Sequence, residues 1–333
     1  VECKLTPLLQ PQADYGEQII STTSKDLIFR HFGQPLFTRL WTATTDSASG
    51  CVLIVHGMGE HGGRYESLAA ELNGAGLHVL APDLRGHGRS LFDFSTPGDI
   101  GYNGWQRSLL DIHYLNRWLS SRYDLPVVLL GHSMGAMLSQ QYLGFFGHGL
   151  AACVLSGSTG ALPTLLTVVA QGLATVDSWR VGPHAQSPLL QGQLFAANNR
   201  PFEKMADETP QHGFNWLSRD HKQVAAYIAD PLCGAVLSAG GLADMFAGLR
   251  RGSRSSHIAC IPKQLPIRFI SGTADPVNAK GRGIKRLLRR YQKAQLMVSS
   301  QLYPDGRHEM FNETNRQQVF DDLLKWLKEI DLV

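Results

Sequence analysis

Pro126-Val-Val-Leu-Leu130, then Gly131-His132-Ser133-Met134-Gly135, then Ala136-Met-Leu-Ser-Gln-Gln-Tyr-Leu-Gly-Phe145 is the stretch whose reading decides the fold. A short, uninterrupted apolar run followed at once by helix-compatible sequence requires a strand to turn sharply into a helix. Gly-x-Ser-x-Gly is the pattern that such a turn takes when a serine sits at its apex. The two glycines are needed because a Cβ at either place would meet neighbouring backbone. The apex exposes the serine hydroxyl, and the first amides of the following helix point at it, where the helix dipole favours negative charge. The five-residue pattern alone is common. Between a buried strand and a helix it is specific, and it marks Ser133 as a nucleophile.

The surrounding chain supplies the sheet that such a turn needs. Residues 17–44 read as antiparallel strands, with Gly33-Gln34-Pro35 as the turn between them. Short apolar runs then recur at residues 51–55, 77–81, 127–130 and 152–155, separated by helix-length segments. Continuous rather than alternating apolar runs are the mark of strands buried on both faces, hence of a parallel sheet with helical crossovers. The rhythm stops after Ser156 and resumes at 267–271 and 296–302, before a closing helix over 317–330. The expected architecture is α/β: the α/β-hydrolase fold, a mostly parallel sheet of about eight strands with an inserted helical cap. Residues 1–157 form the first part of the core, 158–228 the cap (lid) and 229–333 the second part of the core. The apolar run 161–176 is broken by Pro163, Gln171 and Gly172 and is too short and polar to span a bilayer. It predicts a buried or half-buried helix, with a membrane-leaning surface helix as the alternative.

A serine hydroxyl needs a base, and the base needs an acid to orient it. The fold delivers them in the order serine, acid, histidine. Asp275, in Gly272-Thr-Ala-Asp275-Pro-Val277, follows the strand 267–271. His308, in Tyr303-Pro-Asp-Gly-Arg-His308-Glu309, follows the last strand. Three strand ends thus each provide one required residue type in the required order. Asp305 is read as a turn residue, Asp244 has no strand before it, and His132 is read as packing beside the serine. The oxyanion hole needs two backbone N–H groups. Met134 offers one by its place after the nucleophile, and Met58 the other, from the loop His56-Gly-Met-Gly-Glu-His61 after an early strand.

The remaining composition excludes more than it proposes. The chain has 333 residues, 43% hydrophobic and 18% charged, with a formal charge of +3. That balance suits a globular enzyme and argues against a nucleic-acid partner. Five cysteines (Cys3, Cys51, Cys153, Cys233, Cys260) are scattered without a CxxC pair, so neither a zinc site nor a disulfide framework is expected, and no metal or cofactor is required. No basic start followed by an apolar run opens the chain, which together with the cysteine usage leads to an expected cytoplasmic location. Lys280, Arg282, Lys285, Arg286, Arg289, Arg290 and Lys293 crowd one helical stretch. They read as a solvated face or as a surface for anionic headgroups, so membrane contact is expected to be peripheral at most. The sequence does not specify the oligomeric state.

With these residues in place the chain resembles the monoacylglycerol lipase and lysophospholipase group of α/β-hydrolases, in particular its bacterial lysophospholipase-like branch. The resemblance runs through His56-Gly-Met-Gly-Glu-His-Gly-Gly-Arg-Tyr65, Asp83-Leu-Arg-Gly-His-Gly-Arg-Ser90 and Gly131-His-Ser-Met-Gly135. It continues through Ala229-Asp-Pro-Leu232, Ser271-Gly-Thr-Ala-Asp275 and His308-Glu-Met-Phe-Asn-Glu313. It implies a serine hydrolase acting through an acyl-enzyme on carboxylic esters of single-chain lipids, monoacylglycerols or lysophospholipids, with the triad Ser133, Asp275 and His308. It implies a mobile helical cap over an apolar acyl tunnel and a polar head pocket at Glu60 and Arg64, which the residues themselves read equally well as a salt bridge holding the loop. Animal monoacylglycerol lipases carry a histidine where this chain has Phe311, so Phe311 marks a substrate-binding position that differs from theirs. A simple short-to-medium-chain carboxylesterase is the first alternative. A proline-iminopeptidase-like aminopeptidase is the second, with Glu203, Asp207 and Glu208 as acids for a free amine.

Overall fold

The computed structural model describes residues 14–17, 24–45, 47–91, 95–203 and 213–333. Among the described residues nine strands form one sheet: β1 (Asp14–Glu17), β2 (Lys25–His31), β3 (Gln34–Trp41), β4 (Gly50–Val55), β5 (Leu77–Pro82), β6 (Val127–His132), β7 (Ala152–Ser156), β8 (Ile267–Gly272) and β9 (Val298–Tyr303). Their order is β1-β2-β3-β5-β4-β6-β7-β8-β9. The first three strands and the β3–β5 pair are antiparallel, and every pairing from β5 to β9 is parallel. The sheet is therefore that of the α/β-hydrolase fold, lengthened by the short β1 along one edge.

The turn between β2 and β3 falls earlier than the sequence suggests. Phe32 and Gly33 make it, both at positive φ (52° and 73°), while Gln34 and Pro35 already pair with His31 and Arg30. A two-residue turn with both residues left-handed matches the twist of its strands. Gln34 is needed inside the strand, where its side chain donates to the Ser90 carbonyl and accepts from Arg85.

Strands β4, β6 and β7 are buried along their whole length, which is why they read as unbroken apolar runs. Alternate residues serve two separate cores. Leu53, Val55, Leu129 and Leu155 pack on one face with helices Gly104–Tyr123, Met134–Phe146 and Ala239–Gly252. Val52, Ile54, Leu130 and Val154 pack on the other with helices Glu66–Gly74 and Arg316–Glu329. Each such side chain fully buried contributes roughly 1.5–3 kcal/mol.

From β4 the chain crosses to β5 on one side, then returns to place β6 on the other. At such a switch point the loops after two neighbouring strands diverge and leave a crevice at the carboxyl ends. The loops in question begin at His56 and Ser133. Between β7 and β8 come helices Thr164–Val181, Pro188–Asn199, His221–Ala229, Ala239–Gly252 and Ser255–Ile258. The first of them is not a buried helix: only Thr167, Ala174 and Asp177 are buried, and its apolar residues face outward, Leu165 at 76% and Trp179 at 80% exposed.

Candidate active site

Ser133 sits at the end of β6 with φ 53° and ψ −114°, a strained conformation for a non-glycine residue. The flanking glycines permit it. A Cβ on Gly131 would lie 2.5 Å from the Gly135 carbonyl oxygen, and one on Gly135 only 2.0 Å from that of Val55. The helix Met134–Phe146 begins immediately after the serine, and its ladder opens with the Met137 amide donating to the Ser133 carbonyl. The amides of its first turn thus have no acceptor within the helix.

The loops after β8 and β9 bring Asp275 and His308 to this point, as their order in the chain implies. His308 Nε2 lies 2.8 Å from Ser133 Oγ, and its Nδ1 lies 3.1 Å from both oxygens of Asp275. With Nδ1–H donated to the carboxylate, Nε2 is left as acceptor for the serine proton. Asp275 is fixed in turn by the Val277 amide (2.9 Å) and the Asn278 side-chain amide (2.8 Å). Burial works against the charged imidazolium, but the Asp275 carboxylate, with Glu309 and Glu60 behind it, outweighs this and raises the His308 pKa above the ordinary histidine value. His132, next to the serine, behaves oppositely. Its burial, with His308 beside it, pushes its pKa down to about 3, so it packs as a neutral ring 4.9 Å from that of His308 and 3.3 Å from Ser156 Oγ.

A cavity of about 190 Å³ opens over these groups. Met58 and Met134 line it together with Ser133 and His308, and its further wall includes Leu162, Phe195, Trp216, Met245, Phe246 and Leu249. The space is mostly apolar, with Glu60 and Glu309 as its acids.

The first-motif loop is held by a buried ionic clamp. Glu60 accepts from the Gly57 amide (2.6 Å) and the Tyr65 hydroxyl (3.0 Å). Arg64 donates to Glu60 at 2.9 Å and grips Glu309 with two bonds, 2.6 and 2.8 Å. Its guanidinium also lies 4.8 Å from the centre of the Tyr227 ring. Burial resists the Glu309 charge, but Arg64 prevails and draws its pKa to about 2. For Glu60, burial and the neighbouring Glu309 prevail, and the pKa rises. Of the three residues expected to meet the substrate, Glu60 alone lines the cavity. Arg64 is committed to the clamp. Phe311 is buried in the second core beside Phe320, at a ring separation of 6.4 Å, and borders a crevice of about 10 Å³ that shares Glu60, His132 and Glu309 with the cavity. Arg64 thus sits in an ion-pair network and Phe311 in a packed core, and neither is among the residues that line the cavity.

Glu309 and the strap 215–218 were not legible as site residues. The strap accepts the His308 amide on the Trp216 carbonyl (3.3 Å) and the Glu309 amide on the Leu217 carbonyl (2.8 Å). Arg307 donates to the carbonyls of Asn215 and Ser218, and the Trp216 ring packs 4.9 Å from that of His308. Position directly after the histidine was the only signal for Glu309. The Asp83–Ser90 motif is structural: Asp83 accepts from the amides of Gly62 and Arg89, and fully buried Arg85 pairs with Asp111.

A family model described as Hydrolase_4, serine aminopeptidase S33, matches residues 46–315. The chain belongs to this family of α/β-hydrolases. Among curated relatives, a monoacylglycerol lipase of Mycolicibacterium smegmatis is 30% identical over 86% of this chain and 91% of its own. The monoglyceride lipase of Homo sapiens is 27% identical over 89% of this chain and 88% of its own. Among solved structures, a thermostable carboxyl esterase from Bacillus coagulans in complex with glycerol superposes with a TM-score of 0.83 at 26% identity, covering 93% of this chain and all of that one. This Hydrolase_4 member is thus a carboxylic ester hydrolase of the monoacylglycerol lipase group.

Proposed function

We propose that the chain hydrolyses esters of single-chain lipids, monoacylglycerols or lysophospholipids, with Ser133 as nucleophile, His308 as base and Asp275 as its orienting acid. The observation that carries the reading is the 2.8 Å contact between His308 Nε2 and Ser133 Oγ on the floor of a mostly apolar cavity. Ser133 Oγ attacks the ester carbonyl as His308 takes its proton. The amides of Met58 and Met134 hold the oxyanion; loss of one such donor costs roughly 2.7–4 kcal/mol of barrier. The imidazolium then protonates the departing alcohol, and water, deprotonated by His308, releases the fatty acid. Residues 158–228 serve as the cap. Leu162 before its first helix, Phe195 on helix Pro188–Asn199 and Trp216 in the strap face the acyl side of the cavity.

The aminopeptidase reading has less support. Glu203 is exposed and does not line the cavity, while Asp207 and Glu208 lie outside the described residues. The acids that do line it, Glu60 and Glu309, are both engaged by Arg64 and so are not free to receive an amine. Contact with a membrane is proposed as peripheral, since among the described residues no helix is long and apolar enough to cross one. The test is a panel of monoacylglycerols, lysophospholipids, p-nitrophenyl esters of graded length and an aminoacyl p-nitroanilide. Turnover should favour a lipid ester and vanish in Ser133→Ala. Preference for the anilide would reject the reading.

A further inference from the structure

A second cavity, of about 470 Å³, shares Leu162 with the catalytic one and differs from it in chemistry. Arg250 and Arg254 enter it from the end of helix Ala239–Gly252 and the turn beyond, and Arg290 from helix Arg282–Lys293. Thr164, Thr167, Ser253 and Ser255 add hydroxyls, and no carboxylate of the described residues lines it. Among the described residues none of the three arginines has an acidic partner. Arg290 reaches only the Ser253 carbonyl at 3.2 Å, and the Nε of Arg250 is buried without any partner. Three unpaired guanidiniums around one polar space repel each other unless an anion joins them. Their forked N–H groups match the several oxygens of a phosphate. Thr164 also opens an 18-residue helix that no side chain caps, so its positive end adds to the field.

The same helix, Thr164–Val181, turns Leu165, Leu166, Val169, Leu173, Val176 and Trp179 to solvent. We propose that the arginine-lined cavity is a phosphate-binding site, filled by the headgroup of an anionic phospholipid when this apolar face lies on a bilayer. Charge complementarity selects the occupant. An uncharged surface would satisfy the helix but leave the arginines bare. The site sits beside the catalytic cavity, so an enzyme docked through it meets lipid esters where they reside. The proposal rests on the lipid-ester reading for its purpose, though not for its chemistry.

The experiment compares co-sedimentation with vesicles of phosphatidylcholine and of a phosphatidylcholine–phosphatidylglycerol mixture. Wild type should prefer the mixture. R250Q/R254Q/R290Q should lower that preference by about tenfold or more, while K25Q/K325Q/K328Q, which removes equal charge from other exposed positions, should retain it. An unchanged preference in the arginine variant would overturn the proposal, as would an equal loss in the lysine variant. If inorganic phosphate alone protects wild type but not the arginine variant against heat, and the two vesicle types bind alike, the site takes free phosphate and the lipid source is wrong. Turnover of a soluble p-nitrophenyl ester should be the same in all three proteins. Should the triple arginine variant lose it through misfolding, Arg254→Gln and Arg290→Gln, both at exposed side chains, carry the test. Failure of wild type to cleave both monoacylglycerol and lysophospholipid would reject the lipid-ester reading instead, and the vesicle comparison would still decide the phosphate site.

Discussion

His308 can accept the Ser133 proton only while its imidazole is neutral. Its pKa is raised above 6.5, so kcat/KM should fall as pH drops through a value above that of ordinary histidine. Asp275→Asn removes the charge that sustains the shift. The acid limb should then move to lower pH, and kcat should drop by about 10⁴-fold because the imidazole is no longer held in the right tautomer. A pH–rate profile of both proteins checks the sign; a limb that stays in place would show that Asp275 does not set it. Arg64 makes a different case. It lies between two buried carboxylates, and Arg64→Ala would leave both uncompensated, at a cost of roughly 3–5 kcal/mol. Thermal unfolding should show it. Arg64→Lys keeps the charge but not the two-point grip on Glu309, so it should recover stability only in part. The triad was readable from sequence because each member follows a strand in fixed order. Of the clamp, the Glu60–Arg64 pair was one of the two readings of the first motif; its other half was not readable, since the reach from Arg64 to Glu309 spans two loops far apart in the chain.

Among elements, the β6–helix junction has the least tolerance. A Cβ on Gly135 would stand 2.0 Å from the Val55 carbonyl oxygen, on a neighbouring strand rather than a movable side chain. Gly135→Ala should therefore force helix Met134–Phe146 away from β4, costing about 1–3 kcal/mol or more and displacing the amide of Met134. Activity should fall further than stability, a difference that kcat and thermal midpoint together measure. Equal stability and activity to wild type would refute this account of the turn. The strands were legible because burial on both faces leaves an unbroken apolar run. The helix Thr164–Val181 was harder to place. An apolar run signals burial when it packs in a core, but the same run is exposed here, and periodicity does not distinguish the two.

For the whole molecule, the switch in strand order between β4 and β6 explains why chemistry gathers at one edge of the sheet. The loops after β4, β6, β8 and β9 all arrive there. The helices between β7 and β8 then add apolar wall without adding a catalytic group. The strap at 215–218 ties that insertion to the His308 loop, a link invisible in sequence because it is made by backbone carbonyls, which carry no residue signature. Fold and triad thus follow from local patterns, whereas the cavity's walls depend on how distant segments meet. At the centre of this chemistry, Ser133, activated by His308, is expected to form the acyl-enzyme. Treatment with a fluorophosphonate, followed by mass spectrometry of the digested protein, tests it most directly. The adduct should fall on Ser133, accompany complete loss of ester hydrolysis, and vanish in Ser133→Ala. Labelling at another residue, or hydrolysis that survives the Ser133 adduct, would contradict it.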